Sequence, residues 1–129
     1  MTADKNMKIL LVDDFKTMLK LTRGLLNQMG FNNIEEALNG VQALEKLKEG
    51  NNFNLILSDW NMEPMTGLEL LKAVRADPAL KHIPMILITA ESKPENIIAA
   101  KQAGVNNYIV KPFNANTLKD KLIAVVGNF

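Results

Sequence analysis

An open α/β fold, with five parallel strands covered on both faces by five helices, is the architecture this sequence predicts. Three observations lead to it. Short, nearly continuous apolar runs recur along the chain, as strands buried on both faces require. Stretches with apolar residues at helical spacing stand between those runs. Glycines close several of these stretches and a proline opens one, which is the order that helix ends favour. Alternation of this kind builds a parallel sheet with right-handed crossovers.

The elements follow in order. KILLV (8–12) is the first strand. Met18, Leu21, Leu25 and Met29 set the stripe of the first helix, which stops at Gly30. NIEEAL (33–38) is a half-polar strand suited to a sheet edge. Val41, Leu44 and Leu47 mark the second helix, closed by Gly50. FNLILS (53–58) is the third strand. Leu68, Leu71 and Val74 mark the third helix, and Thr66 and Glu69 have capping-box spacing ahead of it. IPMILIT (83–89) is the fourth strand, and PENIIAAKQAG (94–104) is a helix from proline to glycine. NYIVK (107–111) is the fifth strand, and Leu118, Leu122 and Val125 mark the last helix. No repeat, linker or low-complexity segment interrupts the pattern, so residues 1–129 read as one domain.

Composition narrows the function. A chain of 129 residues, 47% hydrophobic, can bury a real core. Fifteen basic and fourteen acidic side chains leave a formal charge of +1, without the basic excess that nucleic-acid binding calls for. There is no cysteine, which excludes disulfides, thiolate metal sites and cysteine nucleophiles. A single histidine, His82, cannot make a multi-histidine metal site and argues against a serine–histidine–aspartate triad. MTADKNMK has no apolar signal core, and no run approaches the length of a membrane span. The expectation is a soluble, cytoplasmic monomer with no nucleic-acid or membrane partner.

The strands end on polar residues. The first runs into Asp13 and Asp14, the third ends on Asp59, the fourth on Thr89 and the fifth on Lys111. In open parallel sheets, ligands bind beyond these carboxyl ends. Each residue alone has a structural alternative: Asp14 could cap the first helix, Thr89 the fourth, and Lys111 could reach to water. Four strand ends delivering such groups to one edge point instead to a site. Three carboxylates repel one another, and one ammonium cannot balance them. A hard divalent cation such as Mg²⁺ can. Asp59 is then a candidate nucleophile toward a phosphoryl group, with Lys111 and Thr89 to meet the phosphoryl oxygens. His82 precedes the fourth strand, at the opposite edge from Asp59. Any histidine phosphodonor therefore belongs to another molecule.

VDDF (12–15), SDWNM (58–62), TAE (89–91) and KPF (111–113), in that order and spacing, resemble the receiver domains of two-component response regulators over essentially the whole chain. DDFKTM, GFNNIEEA, GLELLKAVRAD and ENIIAAKQAG are similar to the stand-alone chemotaxis regulators of that family. The resemblance implies a flavodoxin-like, doubly wound sheet in the order 2-1-3-4-5. It implies that Asp59 accepts phosphate from a chemotaxis histidine kinase. Asp14, Asp59 and the Asn61 carbonyl would ligate Mg²⁺, with Asp13 helping through water. Lys111 would pair with the phosphoryl group, and the Lys111–Pro112 peptide would be cis. Thr89 would move toward a phosphoryl oxygen and Tyr108 would turn inward behind it. The face made by the fourth helix, fifth strand and fifth helix would bind the flagellar motor switch, using Ser92, Ile97, Tyr108, Val110 and Lys121. A phosphatase would be a further partner. Such a protein is a phosphoacceptor that assists its own phosphorylation and dephosphorylation, not an enzyme with an external substrate.

Two positions depart from the pattern. Glu63 stands where the family usually has proline, and proline follows one residue later at Pro64. Pro94 stands where the chemotaxis regulators commonly carry a lysine that contacts the motor. Ile97 and Ile98 are adjacent, about 100° apart on a helix, so both cannot point straight at the core. Alternatives are a phosphate sink or a regulator of a non-motor target. A Mg²⁺-dependent phosphohydrolase would commonly carry a second acid two residues beyond the nucleophile, where this chain has Asn61. A flavin carrier is disfavoured by the two acids of DDFKTM, which would repel a phosphate lacking metal.

Overall fold

The structure is a computed structural model and describes residues 4–50, 52–90 and 93–129. Its elements alternate strictly: β1 (Ile9–Val12), α1 (Lys16–Gln28), β2 (Ile34–Ala37), α2 (Gly40–Lys48), β3 (Leu55–Asp59), α3 (Gly67–Ala76), β4 (Met85–Thr89), α4 (Pro94–Gln102), β5 (Asn107–Val110) and α5 (Ala115–Val126). All neighbouring strands are parallel, in the order β2-β1-β3-β4-β5. This is the doubly wound order that the family resemblance implies.

The period-2 geometry of the strands divides the core in two. Leu10, Val12, Ile56, Met85 and Leu87 face a cluster completed by Ala43 and Leu47 of α2 and by Leu70, Leu71 and Val74 of α3. Ile9, Leu11, Leu55, Leu57, Ile86, Ile88 and Ile109 face the other cluster, with Leu19 and Leu26 of α1 and Leu118 and Leu122 of α5. Every residue of β1, β3 and β4 is buried. The half-polar β2 lies at an edge, as its composition predicts. Its Glu35 pairs with Lys8 at 2.7 Å and Lys46 at 3.4 Å, and its Glu36 pairs with Arg23 at 2.7 Å.

The helix ends have local causes. Thr66 and Glu69 form a reciprocal capping box at the start of α3, with hydrogen bonds of 3.1 and 3.0 Å. Asn39 and Asn114 cap α2 and α5 through their side chains. Pro94 is the first residue of α4, where its missing N–H has no partner to lose.

The helix stripes need correction. In α1 the core-facing residues are Leu19, Thr22 and Leu26, whereas Leu21 is 52% exposed and Met18, Leu25 and Met29 are half-buried. Leu25 and Met29 of the predicted stripe still pack against the cluster that holds Leu19 and Leu26, so the core-facing surface runs between the two apolar stripes. In α2 likewise, Ala43 and Leu47 are buried, and Val41 is exposed.

At the amino end of the sheet, Arg75 of α3 ties several segments together. Its guanidinium donates to the carbonyls of Ile83 (2.7 Å), Gly104 (2.9 Å) and Lys81 (3.1 Å) and to the Asn106 side-chain oxygen (2.8 Å). The same Asn106 oxygen accepts the Met85 N–H at 2.9 Å, at the start of β4. His82 is exposed on this side, before β4 and away from Asp59.

Candidate phosphoryl-acceptor site

The carboxyl end of the sheet brings Asp13, Asp14 and Asp59 together. Oxygen atoms from the three carboxylates lie within 4.8 Å of one another. Asp13 is 6% exposed and Asp59 5%, while Asp14 is open to solvent. The placement follows from the strands. Asp13 continues the β1–β2 ladder through an N–H bond to the Ala37 carbonyl, at 3.1 Å. Asp59 is the last residue of β3 and pairs in register with Ile88.

Helix capping does not account for the acids or the threonine. The N-cap of α1 is Phe15, and no side chain bonds there as a cap. Asp13 instead accepts the Phe15 N–H at 3.0 Å, a turn bond, and Asp14 caps nothing. The N-cap of α4 is Lys93, so Thr89 does not cap that helix. Thr89 is buried at the end of β4.

Lys111 follows β5 and turns into the acids rather than reaching to water. Its ammonium donates to Asp59 Oδ1 at 2.9 Å and lies 3.9 Å from Asp13 Oδ2. One cation therefore faces three carboxylates. Burial pushes the Asp13 carboxyl up from 3.8 to about 6, and the charges of Asp59 and Asp14 add to the rise. The Phe15 N–H and the Lys111 ammonium oppose it. The site as it stands holds more negative charge than its own residues neutralise.

Asn61, Asp14, Met62, Glu63 and Thr66 line an open cleft of about 440 Å³ beside the acids. On the other side, Lys111 borders a largely apolar recess of about 370 Å³ made by Met18, Leu21, Ala90, Pro112 and Phe113. Both the Glu63–Pro64 and Lys111–Pro112 peptides are cis. The second was expected from the resemblance, and the first arises at the departure from the family pattern.

Gly67 is a site residue that its sequence context did not reveal. A Cβ there would lie 2.3 Å from the Asp59 carbonyl oxygen and 3.0 Å from Trp60 Cα. Its N–H donates to the Trp60 carbonyl at 2.8 Å. The start of α3 thus rests directly on the backbone of Asp59 and Trp60, and only glycine permits that approach. Trp60 is half-buried and packs on the cluster beneath α3.

The expected output face is partly visible. Tyr108 and Val110 of β5 are half-buried, and Thr89 pairs in register with Val110, two residues beyond Tyr108. The Lys121 ammonium lies 4.9 Å from the centre of the Tyr108 ring, which joins β5 to α5. Ile97 is half-buried and its neighbour Ile98 is 54% exposed, so Ile98 is the isoleucine that α4 offers to solvent. Ser92 and Glu91 lie outside the described residues. No helix among the described residues is long and apolar enough to cross a membrane.

Residues 9–123 match the family described as the response regulator receiver domain. The chain is 58% identical over 119 residues to the Chemotaxis protein CheY-3 of Vibrio cholerae serotype O1, covering 92% of this chain and 91% of that protein. The structure superposes on Vibrio cholerae CheY4, crystallised at low pH, with a TM-score of 0.85 at 37% identity, covering 93% and 98% of the two chains. It also superposes on the receiver domain of the sensor histidine kinase PA1611 from Pseudomonas aeruginosa, a structure with magnesium coordinated in its active-site cleft. There the TM-score is 0.83 at 26% identity, and 95% of this chain and 99% of that one are covered. Sequence, strand order and site geometry agree: the chain belongs to the response regulator receiver family.

Proposed function

We propose that this receiver is a phosphorylation-controlled chemotaxis switch in which Asp59 takes a phosphoryl group from a chemotaxis histidine kinase. The observation that carries the reading is the Asp59–Lys111 pair, held at 2.9 Å inside a cluster of three strand-end acids. The surplus charge and all-oxygen donor set fit Mg²⁺, and the magnesium in the cleft of the related PA1611 receiver supports that assignment. Asp14, Asp59 and the Asn61 carbonyl would hold the ion, with Asp13 helping through water. Once bound, it supplies positive charge against the phosphoryl oxygens.

The chain's own residues do the rest. A carboxylate oxygen of Asp59 forms the new bond to phosphorus as the phosphorus–nitrogen bond of the donor breaks. The electron pair stays on the donor imidazole, which takes a proton from solvent. Lys111 exchanges Asp59 Oδ1 for a phosphoryl oxygen, so its charge stays paired throughout. The Thr89 hydroxyl donates to a second phosphoryl oxygen, and Tyr108 turns into the space that Thr89 leaves. Hydrolysis by water restores the Asp59 carboxylate, and a phosphatase partner accelerates it. Phosphorylation thus biases a two-state face comprising α4, β5 and α5. That face, with Ser92, Ile97, Tyr108, Val110 and Lys121, meets the flagellar motor switch. The protein acts as one receiver domain over residues 1–129, monomeric and cytoplasmic.

The test is intact mass after incubation with Mg²⁺ and acetyl phosphate. A labile single adduct, dependent on Mg²⁺ and absent in Asp59→Asn, is expected. No adduct in the wild type, even with a competent histidine kinase as donor, overturns the reading. Pro94 supports a second reading of the target. It opens α4 at the position where the resemblance would place a motor-contacting lysine, which favours a phosphate sink or a non-motor target. Binding of the phosphorylated protein to an N-terminal motor-switch peptide separates the two.

A further inference from the structure

The two sides of Asp59 differ in charge. On one side Lys111 borders an apolar recess. On the other, the cleft beside Asp14 and Asn61 has Glu63 on its wall and no basic residue among those that line it. Glu63 is exposed and makes no hydrogen bond or ion pair with any described residue. Glu35, Glu36 and Glu69 are paired with lysine, arginine or a cap N–H. Glu63 differs from Glu45, Glu49 and Glu95, which also have no side-chain partner among the described residues, in lying on the wall of this cleft. The loop that carries it is anchored at both ends. Met62 is buried beside it, the Gly67 N–H bonds the Trp60 carbonyl, and the Thr66–Glu69 box closes the far side. A carboxylate without a structural partner is therefore held at the mouth of an already acidic cleft.

We propose that Glu63 is a positioning charge for the acceptor site: it strengthens divalent-cation binding and slows the approach of anionic phosphodonors through the same cleft. The inference rests on the receiver reading above. Glu63 stands outside the three carboxylates that converge, so its part is that of a charge acting through space across a water-filled cleft. A unit charge about 10 Å from a divalent cation, in a dielectric near that of water, changes its affinity about threefold to fivefold at low salt. Raising the ionic strength to about 0.5 M shortens the screening length to about 4 Å and removes most of the effect.

The test compares wild type, Glu63→Gln and Glu63→Asp by calorimetric titration with Mg²⁺ at about 10 mM ionic strength, then at 0.5 M. Glu63→Gln is expected to weaken Mg²⁺ binding about threefold to fivefold at low salt and to match wild type at high salt. Glu63→Asp keeps the wild-type affinity. With Mg²⁺ saturating, Glu63→Gln also forms the acetyl phosphate adduct about twofold to threefold faster at low salt, because one repelling charge is gone. Equal Mg²⁺ affinities at low salt overturn the inference, and so does a difference that salt does not shrink. If the wild type binds Mg²⁺ and takes phosphate while Glu63→Gln behaves identically, only the role of Glu63 falls. If the wild type does neither, the receiver reading falls with it.

Discussion

At the amino end of the sheet, the Arg75 guanidinium is surrounded by three backbone carbonyls and one amide oxygen. At the carboxyl end, three carboxylates converge and the Lys111 ammonium pairs with two of them, Asp59 and Asp13. The same strands run between these two arrangements. The first is a network in which one cation meets an array of oxygen dipoles, and α3, the β4 entrance and the α4–β5 turn are held by it. The second leaves charge over, and burial makes that charge costly for at least Asp13. The two ends use their interactions for different purposes. A satisfied network stabilises one arrangement. An unsatisfied one keeps binding capacity for an arriving cation and phosphoryl group.

Substitutions at the two ends therefore have opposite signatures. Asp59→Asn gives the largest effect: complete loss of the phosphoryl adduct by intact mass, with cooperative urea unfolding retained. An adduct of undiminished yield in that variant would place the acceptor elsewhere. Arg75→Met removes four hydrogen bonds, of which only the one to the Ile83 carbonyl is part-buried, and is expected to cost about 1–2 kcal/mol in urea unfolding. At a temperature where the variant is folded, its rate of adduct formation with acetyl phosphate should stay near wild type. A large loss of rate in the folded variant would break the separation of the two ends. Gly67→Ala lies between these cases. Its methyl group collides with the Asp59 carbonyl, so α3 must shift, at a cost of about 2–3 kcal/mol. Unlike Arg75→Met, it is expected to slow phosphorylation as well, because the displaced backbone carries the acceptor.

How much of this was legible in the sequence follows from the same contrast. The strands were readable because β3 and β4 are buried on both faces and have no polar period to hide them. The site was readable because Asp13, Asp14, Asp59, Thr89 and Lys111 break those apolar runs at their carboxyl ends, where charge is out of place. The face of α1 was not readable: Leu19 and Leu21 are equally apolar, and only the sheet decides which is buried. Gly67 could not be assigned because its reason is a close approach through space, not a turn. The Arg75 network left no trace because its acceptors are mostly backbone carbonyls, which every residue has. Charge without a local partner is visible in a sequence, whereas charge neutralised by main-chain oxygens is not.

Asp13 sharpens the comparison most finely, since it predicts a gain. Its folded-state pKa of about 6 lies above the ordinary 3.8. The folded protein therefore holds this proton more tightly than the unfolded chain does. Stability from the group is highest below pH 3.8, falls as pH rises through the interval up to about 6, and is flat above it. Replacing the carboxylate with a neutral amide removes that loss. In a chelator, Asp13→Asn should match wild type near pH 3.8 and exceed it by on the order of 2 kcal/mol above pH 6. Urea titrations at several pH values measure the gap directly. Saturating Mg²⁺ should narrow it, since the ion stabilises the wild-type acid cluster more than the amide variant. A gap that stays constant from pH 4 to pH 7.5 would trace the gain to packing instead of charge. The surplus at the carboxyl end would then carry less of the contrast than burial of Asp13 implies.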